Sequence, residues 1–386
     1  MPAIAVVLAC LVGGTSSATE IRYSVFDLGT LGGVTSIAHD ISESGMIVGY
    51  STVPGSATEH AAVWNSGGAI WDLDPAGTGS GAWAANDLGQ VVGYRYLPNG
   101  SQACLWELSS GTWTTTDLLG FGGRFGEARD ISESGQIVGY SYLPQESGFP
   151  AAVWIKGDAG WAISSLGTLG GWGSVGNAIN DQGQIAGYSY VTGDSAVHAC
   201  FWDHADPAAI VDLDPHGGPY SYAWGIADAQ GSTPGRVVGS CVYDEPPTHP
   251  PTLWDPSGTG WTATPLPFFG GTTNYANAVN DRGQVVGYSF LTGDKAHHAF
   301  LYEARADEPG QTYDLNKLID PTLGWTLQEA KDINENGWIV GYGLNADGAT
   351  HAFLATPVPE PSSWALLLAA LGASAVLKLR RGRPRR

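Results

Sequence analysis

Ala38-His39-Asp40-Ile41-Ser42-Glu43-Ser44-Gly45-Met46-Ile47-Val48-Gly49-Tyr50 decides how this chain folds, because the phrase comes back. It recurs as Ala128 to Tyr140, Ala178 to Tyr188, Ala278 to Tyr288 and Ala330 to Tyr342, and more divergently as Ala85 to Tyr94 and Ile226 to Ser240. In the last of these, Gly231-Ser232-Thr233-Pro234 enlarges the turn. The glycine of the Gly-Tyr pair stands at 49, 93, 139, 187, 239, 287 and 341, at intervals of 44, 46, 48, 52, 48 and 54. A self-similarity of that period marks a repeat protein. Each phrase reads as a hairpin. It has an alternating strand (Ala-x-Asp-Ile), a polar turn (Ser/Asn-Glu/Asp-x-Gly) and a β-branched strand ending in Gly-Tyr. Asn or Asp bonds its own backbone through the bend, and glycine supplies the positive φ that other residues resist.

Outward from the hairpin, a third strand appears as His60-Ala61-Ala62-Val63-Trp64, Ala151 to Trp154, His198 to Trp202, His298 to Tyr302 and His351 to Leu354. A fourth carries Asp-Leu, as in Trp71-Asp72-Leu73, Thr116-Asp117-Leu118, Val211-Asp212-Leu213 and Tyr313-Asp314-Leu315. Four strands per unit of this length is the size of a propeller blade, and seven units fall within the usual range. The seventh unit stops after its third strand at Leu354, while an unclaimed fourth-type strand, Tyr23-Ser24-Val25-Phe26-Asp27-Leu28, precedes the first. The expected fold is therefore all-β, a seven-bladed β-propeller closed by the N-terminal strand. That exchange removes a bare sheet edge, which an open solenoid would not need to do.

The composition agrees. The 386 residues include 55 Gly, 15 Trp and 16 Tyr but only 17 Lys and Arg, a turn-rich balance hostile to long helices. The formal charge is −20, and Lys378, Arg380, Arg381, Arg383, Arg385 and Arg386 lie in the final nine positions, so the body is more acidic still. Such a surface repels phosphate backbones, and no nucleic-acid partner is expected. Cys104 and Cys200 occupy the same place in two units, where others carry Ala or Phe, which marks them as small core side chains. Cys241 is read as unpaired, and Cys10 falls in the leader.

The two ends read as addresses. Ala3 to Val12 is almost wholly apolar and is followed by Gly13 to Ala18, with small residues at Ser16 and Ala18, so residues 1–18 are expected to be a signal peptide cut after Ala18. The propeller would occupy 19–356 and a tail 357–386. In the tail, Val358-Pro359-Glu360-Pro361 leads to an uncharged stretch from Trp364 to Leu377 and then to the basic cluster, with a hydrophobic helix expected over 364–379. Fourteen uncharged residues fall short of the roughly 20 that span a bilayer squarely, but Lys378 can snorkel and the arginines hold the end in the cytoplasm. This segment closely resembles the PEP-CTERM sorting signal of Gram-negative bacteria, over roughly the last 29 residues. The resemblance implies recognition by a membrane-embedded exosortase, transient anchoring in the inner membrane by the C-terminal helix, and display on the cell surface or in an extracellular polysaccharide matrix.

The recurring His-Ala-Phe, Asp-Leu-Gly-Thr-Leu-Gly-Gly and Asn-Asp-x-Gly-Gln-Ile-Val-Gly-Tyr phrases resemble the HAF family of extracellular repeats, over roughly Tyr23 to Leu354. That resemblance implies an extracytoplasmic location and little about biochemistry. His60, His198, His298 and His351 sit at equivalent blade positions, so a ring would spread them around its circumference and no shared metal site is assigned to them. Asp40, Asp130 and Asp332, with Asn180, Asn280 and Asn334, would suit a calcium-binding channel, but each sits in or beside a turn that needs its side chain, and we assign them there. Leu166 to Gly171 and Phe121-Gly122-Gly123 have no helix behind them and read as inter-strand loops, not phosphate cradles. No nucleophile elbow, zinc spacing or Cys/His pair emerges, so no catalytic residue, metal or cofactor is assigned. Binding on a rigid frame resides in irregular insertions. The candidate ligand loops are Tyr220 to Trp224 (Tyr220, Tyr222, Trp224), Asp244 to His249, and Trp172, whose rings could stack on sugar faces. The sequence thus points to a non-enzymatic exported protein presenting loops to glycans or other exported proteins. The alternative is a propeller hydrolase or lyase acting on extracellular polysaccharide, which would need two carboxylates from non-equivalent positions.

Overall fold

The computed structural model describes residues 23–358, apart from 204–205, 215–217, 232, 243–247, 259 and 306–307. The expected signal peptide at 1–18 with its cut at Ala18, Pro359 to Pro361 and the helix at 364–379 lie outside the described residues, as does most of Asp244 to His249. Among the described residues no helix is long and apolar enough to cross a membrane.

The strands, β1 to β28 in chain order, form seven four-stranded antiparallel sheets. Blade one runs β2 (Ser36–Ile41), β3 (Met46–Thr52), β4 (Glu59–Asn65) and β5 (Ile70–Asp72) outward from the axis. The innermost strands of blades two to seven are β6 (Ser80–Ala85), β10 (Gly126–Ile131), β14 (Gly170–Ile179), β18 (Ser221–Ile226), β22 (Gly270–Val279) and β26 (Thr326–Ile333). Each touches the next, and β26 touches β2, so the ring closes. Blade seven is assembled from both ends of the described chain. After β26 and β27 (Ile339–Leu344), β28 (Thr350–Pro357) pairs with β1 (Tyr23–Asp27), in register from Tyr23 opposite Pro357 to Asp27 opposite Phe353.

The core lies between blades. Val48, Ala61 and Val63 of blade one pack on Ala82, Val91, Cys104 and Trp106 of blade two, and comparable clusters follow around the ring. Trp64, Trp106, Trp154, Trp202 and Trp254 of the third strands are fully buried there. Cys104, Cys200 and Cys241 are free and buried, and burial pushes all three thiols up, so they are inert packing groups.

The turns between first and second strands do more than bend the chain. Asn86 Oδ1 accepts from Gln90 N at 3.1 Å, while its Nδ2 donates to Ser132 O of the next blade at 3.1 Å. Asn180, Asn280 and Asn334 repeat both bonds. On the same face, Asp87, Glu133, Asp181, Asp228, Asp281, Glu335 and Glu43 each accept a backbone N–H from the preceding blade at 2.6–2.9 Å. The seven bonds form a closed circle, with blade seven donating to blade one.

The four third-strand histidines act as clamps. Nδ1 of His60 meets Asp72, His198 meets Asp212 and His298 meets Asp314, at 2.7–2.9 Å. His351 meets Asp27 across the seam at 2.8 Å. In blades one, four, six and seven the Asp-Leu of the fourth strand and the His of the third are thus one device, and in blade seven that device ties the N-terminal strand down.

Candidate functional site: the central channel

The inner strands are not plain alternating strands, as the sequence had suggested. Each carries a β-bulge at the residue after its Ala, or after Gly176 in blade four: the pairing skips His39, Trp83, Arg129, Asn177, Trp224, Asn277 and Lys331. A bulge leaves one residue unpaired and re-aims its side chain. Here it places one variable side chain per blade on the wall of an axial cavity of about 330 Å³, with Asp40, Asp130 and Asp332 beside them. The bulge also explains why Ala38 and Ile41, three residues apart, are both buried while His39 and Asp40 are half-open to the channel.

Several bulge side chains bind the next blade. His39 Nδ1 lies 2.9 Å from Ala82 O; a carbonyl only accepts, so Nδ1 carries the proton. Asn177 Nδ2 donates to Ala223 O and Asn277 Nδ2 to Ala330 O, both at 2.8 Å. The Arg129 guanidinium lies 4.4 Å from the Trp83 ring centre and 3.0 Å from Glu127, which also accepts from Trp83 Nε1 at 3.2 Å. Across the ring, Lys331 and Asn277 converge on Glu329 at 2.7 and 2.9 Å. The two cations are therefore held by blade-three and blade-seven carboxylates on opposite sides of the mouth.

The aspartates do not serve their own turns, correcting the sequence assignment. Asp40 accepts from Ala85 N of blade two at 2.8 Å, Asp332 from Ile41 N of blade one at 3.0 Å, and Asp130 from Ile179 N of blade four at 2.7 Å as well as Ile131 N at 2.8 Å. Each staples its bulge to the following blade. Burial raises all three carboxyls, Asp130 to about 7. Asp40 is pushed well above the usual range by burial and by the Asp332 charge, and its carboxyl hydrogen-bonds that of Asp332. Burial, with Lys331 nearby, lowers His39 to about 3. The floor thus presents carboxyl groups with raised proton affinity, an imidazole that is neutral near pH 7, and side-chain amides: a mixed donor and acceptor lining that suits hydroxyl groups. Among the described residues no group of three or more His, Cys, Asp or Glu is placed to hold a metal ion.

The pH dependence of stability can be assigned. His39 is lowered on folding, so the unfolded chain takes up the proton first, and stability is lost as pH falls below about 6.5. Asp130 is raised, so its effect runs the other way, with stability lost as pH rises from about 4 to 7. Asn makes the same inter-blade bond in blades four and six, so His39→Asn keeps the contact and removes the titration. The ring keeps some area open to the channel, so we expect about 1 kcal/mol, or about 2 °C in Tm, of relative gain for the variant at pH 5 over pH 7.5. Thermal scans of both proteins at the two values test this, and an unchanged Tm difference contradicts the assignment.

On the face opposite the carboxylate circle, aromatic rings crowd the channel mouth. His39 stacks on Trp83 at 4.3 Å, Tyr142 on Phe149 at 5.2 Å, and Trp172 meets Phe149 edge-on at 4.8 Å. Tyr222 and Trp224 stack at 6.0 Å and touch Tyr188 and Tyr275. Of the four aromatic residues expected on loops or considered with them, Tyr220 lies outside the strands. Trp172 stands on β14, and Tyr222 and Trp224 on β18, where Trp224 lines the channel. Trp172 and Tyr220 keep 44% and 46% of their surface open. The sequence reading missed His39, Trp83, Arg129, Asn177, Asn277 and Lys331; the available signal was the three-residue spacing of a small and an apolar residue in each phrase, as in Ala38 and Ile41.

Comparison with known proteins gives one family match and a set of distant structures. A model of the PEP-CTERM protein-sorting motif matches residues 357–383. No curated protein matches the chain. Among solved structures, TolB from Acinetobacter baumannii is 13% identical (TM-score 0.43) over 60% of this chain and 54% of that one, so the alignment spans about half of TolB. The β-propeller domain of the Trilobed protease from Pyrococcus furiosus is 10% identical over 70% and 82% (TM-score 0.45). The PQQ-bound aldose sugar dehydrogenase from Streptomyces coelicolor is 11% identical over 88% and 99% (TM-score 0.37). The motif match implies that this seven-bladed propeller is exported, directed to the cell envelope and sorted by an exosortase.

Proposed function

We propose that the protein is a non-enzymatic binding module of the Gram-negative cell surface or extracellular matrix, held transiently in the inner membrane by its tail, whose propeller presents the aromatic channel mouth to neutral glycan. It belongs in this reading with the HAF-type extracellular repeats. The observation that carries it is the run of rings that starts at Trp83 and Trp224 on the channel wall and continues, through Arg129, Tyr140 and Phe149, to the half-exposed Trp172, above a channel floor of mixed hydrogen-bonding groups. Flat apolar faces beside polar groups match a pyranose, which has an apolar face and a hydroxyl edge. The channel aspartates occupy equivalent positions, and each already binds a neighbouring blade, which favours binding over acid–base cleavage.

A glycan array probed with residues 19–358, followed by product analysis on any sugar retained, tests the reading. We expect retention without cleavage, and at least a tenfold weaker hold by Trp172→Ala. Release of shortened sugars would replace the proposal with a hydrolase or lyase.

A further inference from the structure

We propose that a groove at the seam of the ring seats the chain's own residues 359–363, so that blade seven holds the start of the sorting motif. The proposal rests on the motif match and the seam, and is independent of the glycan reading. The groove, about 650 Å³, lies between the outer side of β1 and the stretch from Lys317 to Leu323. Phe26, Leu323 and Val358 line it and are 53%, 41% and 45% exposed. Single exposed apolar residues are ordinary, but three from separate segments around one hollow form a surface that wants a cover.

The cover is identified by where the chain goes. Pro357 is pinned opposite Tyr23, and Tyr23 N donates to Leu318 O at 2.8 Å, so the chain leaves blade seven against the wall of this groove. Val358 already lines it, and Pro359-Glu360-Pro361 follows directly. Glu360, the one carboxylate among residues 358–386, lies two residues on, within about 7 Å of extended chain. Lys317, the cation of the groove lining, stands there to meet it, with Asp320 also on the wall. The two prolines hold the segment extended with little conformational freedom to lose, and such segments dock on apolar and aromatic surfaces. Because β1 forms one wall, the seat exists only when the ring has closed. An exosortase would then meet the motif in a different setting on closed and unclosed chains.

The test uses the full chain in detergent micelles with Cys10→Ser, Lys317→Cys and Glu360→Cys; the three propeller cysteines are buried. Under mild oxidation we expect an intramolecular disulfide at least tenfold faster than for an Asp158→Cys/Glu360→Cys control on blade three. Adding Phe26→Ser and Leu323→Ser should bring the rate down to the control. A rate equal to the control overturns the proposal, and so does a disulfide joining two chains, which would give the groove to a second copy. Should the double-cysteine chain fold poorly, a spin label on Glu360→Cys alone decides. Tumbling slower than a label on Asp347→Cys supports the seat, and equal tumbling overturns it.

Discussion

A chain that begins at Gly29 loses its cooperative thermal transition. The missing strand supplies five residues paired with β28, and two side chains, Tyr23 and Leu28, that are 4% and 5% exposed in the ring. It also supplies Asp27, the partner of His351, and the Leu28 N–H that donates to Ala352 O at 3.0 Å. At about 2 kcal/mol per large buried side chain and about 1 kcal/mol per hydrogen bond, the loss is on the order of 5–10 kcal/mol. That is comparable to the whole stability of an ordinary domain. It also bares the edge of β28 to solvent and to other chains. Near-UV circular dichroism and a thermal scan read the result, and a synthetic peptide of residues 19–28 in excess should restore the transition. A truncated chain melting within about 5 °C of the parent would show that the seam does not hold the ring.

Gly139→Ala is among the most damaging single-methyl additions we expect in the molecule. In every blade the bulge drives the carbonyl oxygen two residues before the skipped position against the glycine of Gly-Tyr. A Cβ on Gly49, Gly139, Gly187, Gly287 or Gly341 would collide with Ile37, Glu127, Val175, Tyr275 or Glu329 O respectively. Backbone cannot swing aside as a side chain can, so the bulge must open or the strands must part. We expect at least about 3 kcal/mol of destabilisation, at the top of the range for overpacking. Because Glu127 and Arg129 flank the same bulge, the Arg129 stack on Trp83 should be disturbed as well, visible as a shift in tryptophan emission. Gly111→Ala, at a turn with nothing within 4 Å of the added carbon, is the control; its φ of 82° limits the cost to about 1 kcal/mol of backbone strain. Equal effects at the two positions would refute the bulge account.

Much of the architecture was legible because it repeats. Asn and Ser at the turn, Gly-Tyr, the Trp of the third strand and Asp-Leu each recur at blade spacing, and a fourth strand missing from the end was found at the beginning. The site was less legible, for a reason rooted in the same geometry. A residue on the channel wall faces open space on one side, which leaves its size free, so His39, Trp83, Arg129, Asn177, Trp224, Asn277 and Lys331 share a place but no single residue type. A search for recurring residue types passes over them. Trp224 was singled out because it fell in an irregular stretch, but it was assigned to a loop because the bulge that turns it inward leaves only a faint mark in the pattern.

The sequence by itself determined the number of blades, the order of their strands and the identity of the strand that closes them, because hydrophobic period and turn chemistry are local properties written seven times. Only the tertiary structure decided which face of each inner strand meets the axis, that the aspartates staple neighbouring blades rather than serve their own turns, and that Glu127 and Glu329 stand across one mouth. Those facts depend on what lies in another blade, 45 or 49 positions away for Asp40 and Asp130 and 291 across the seam for Asp332, and no local pattern carries that information.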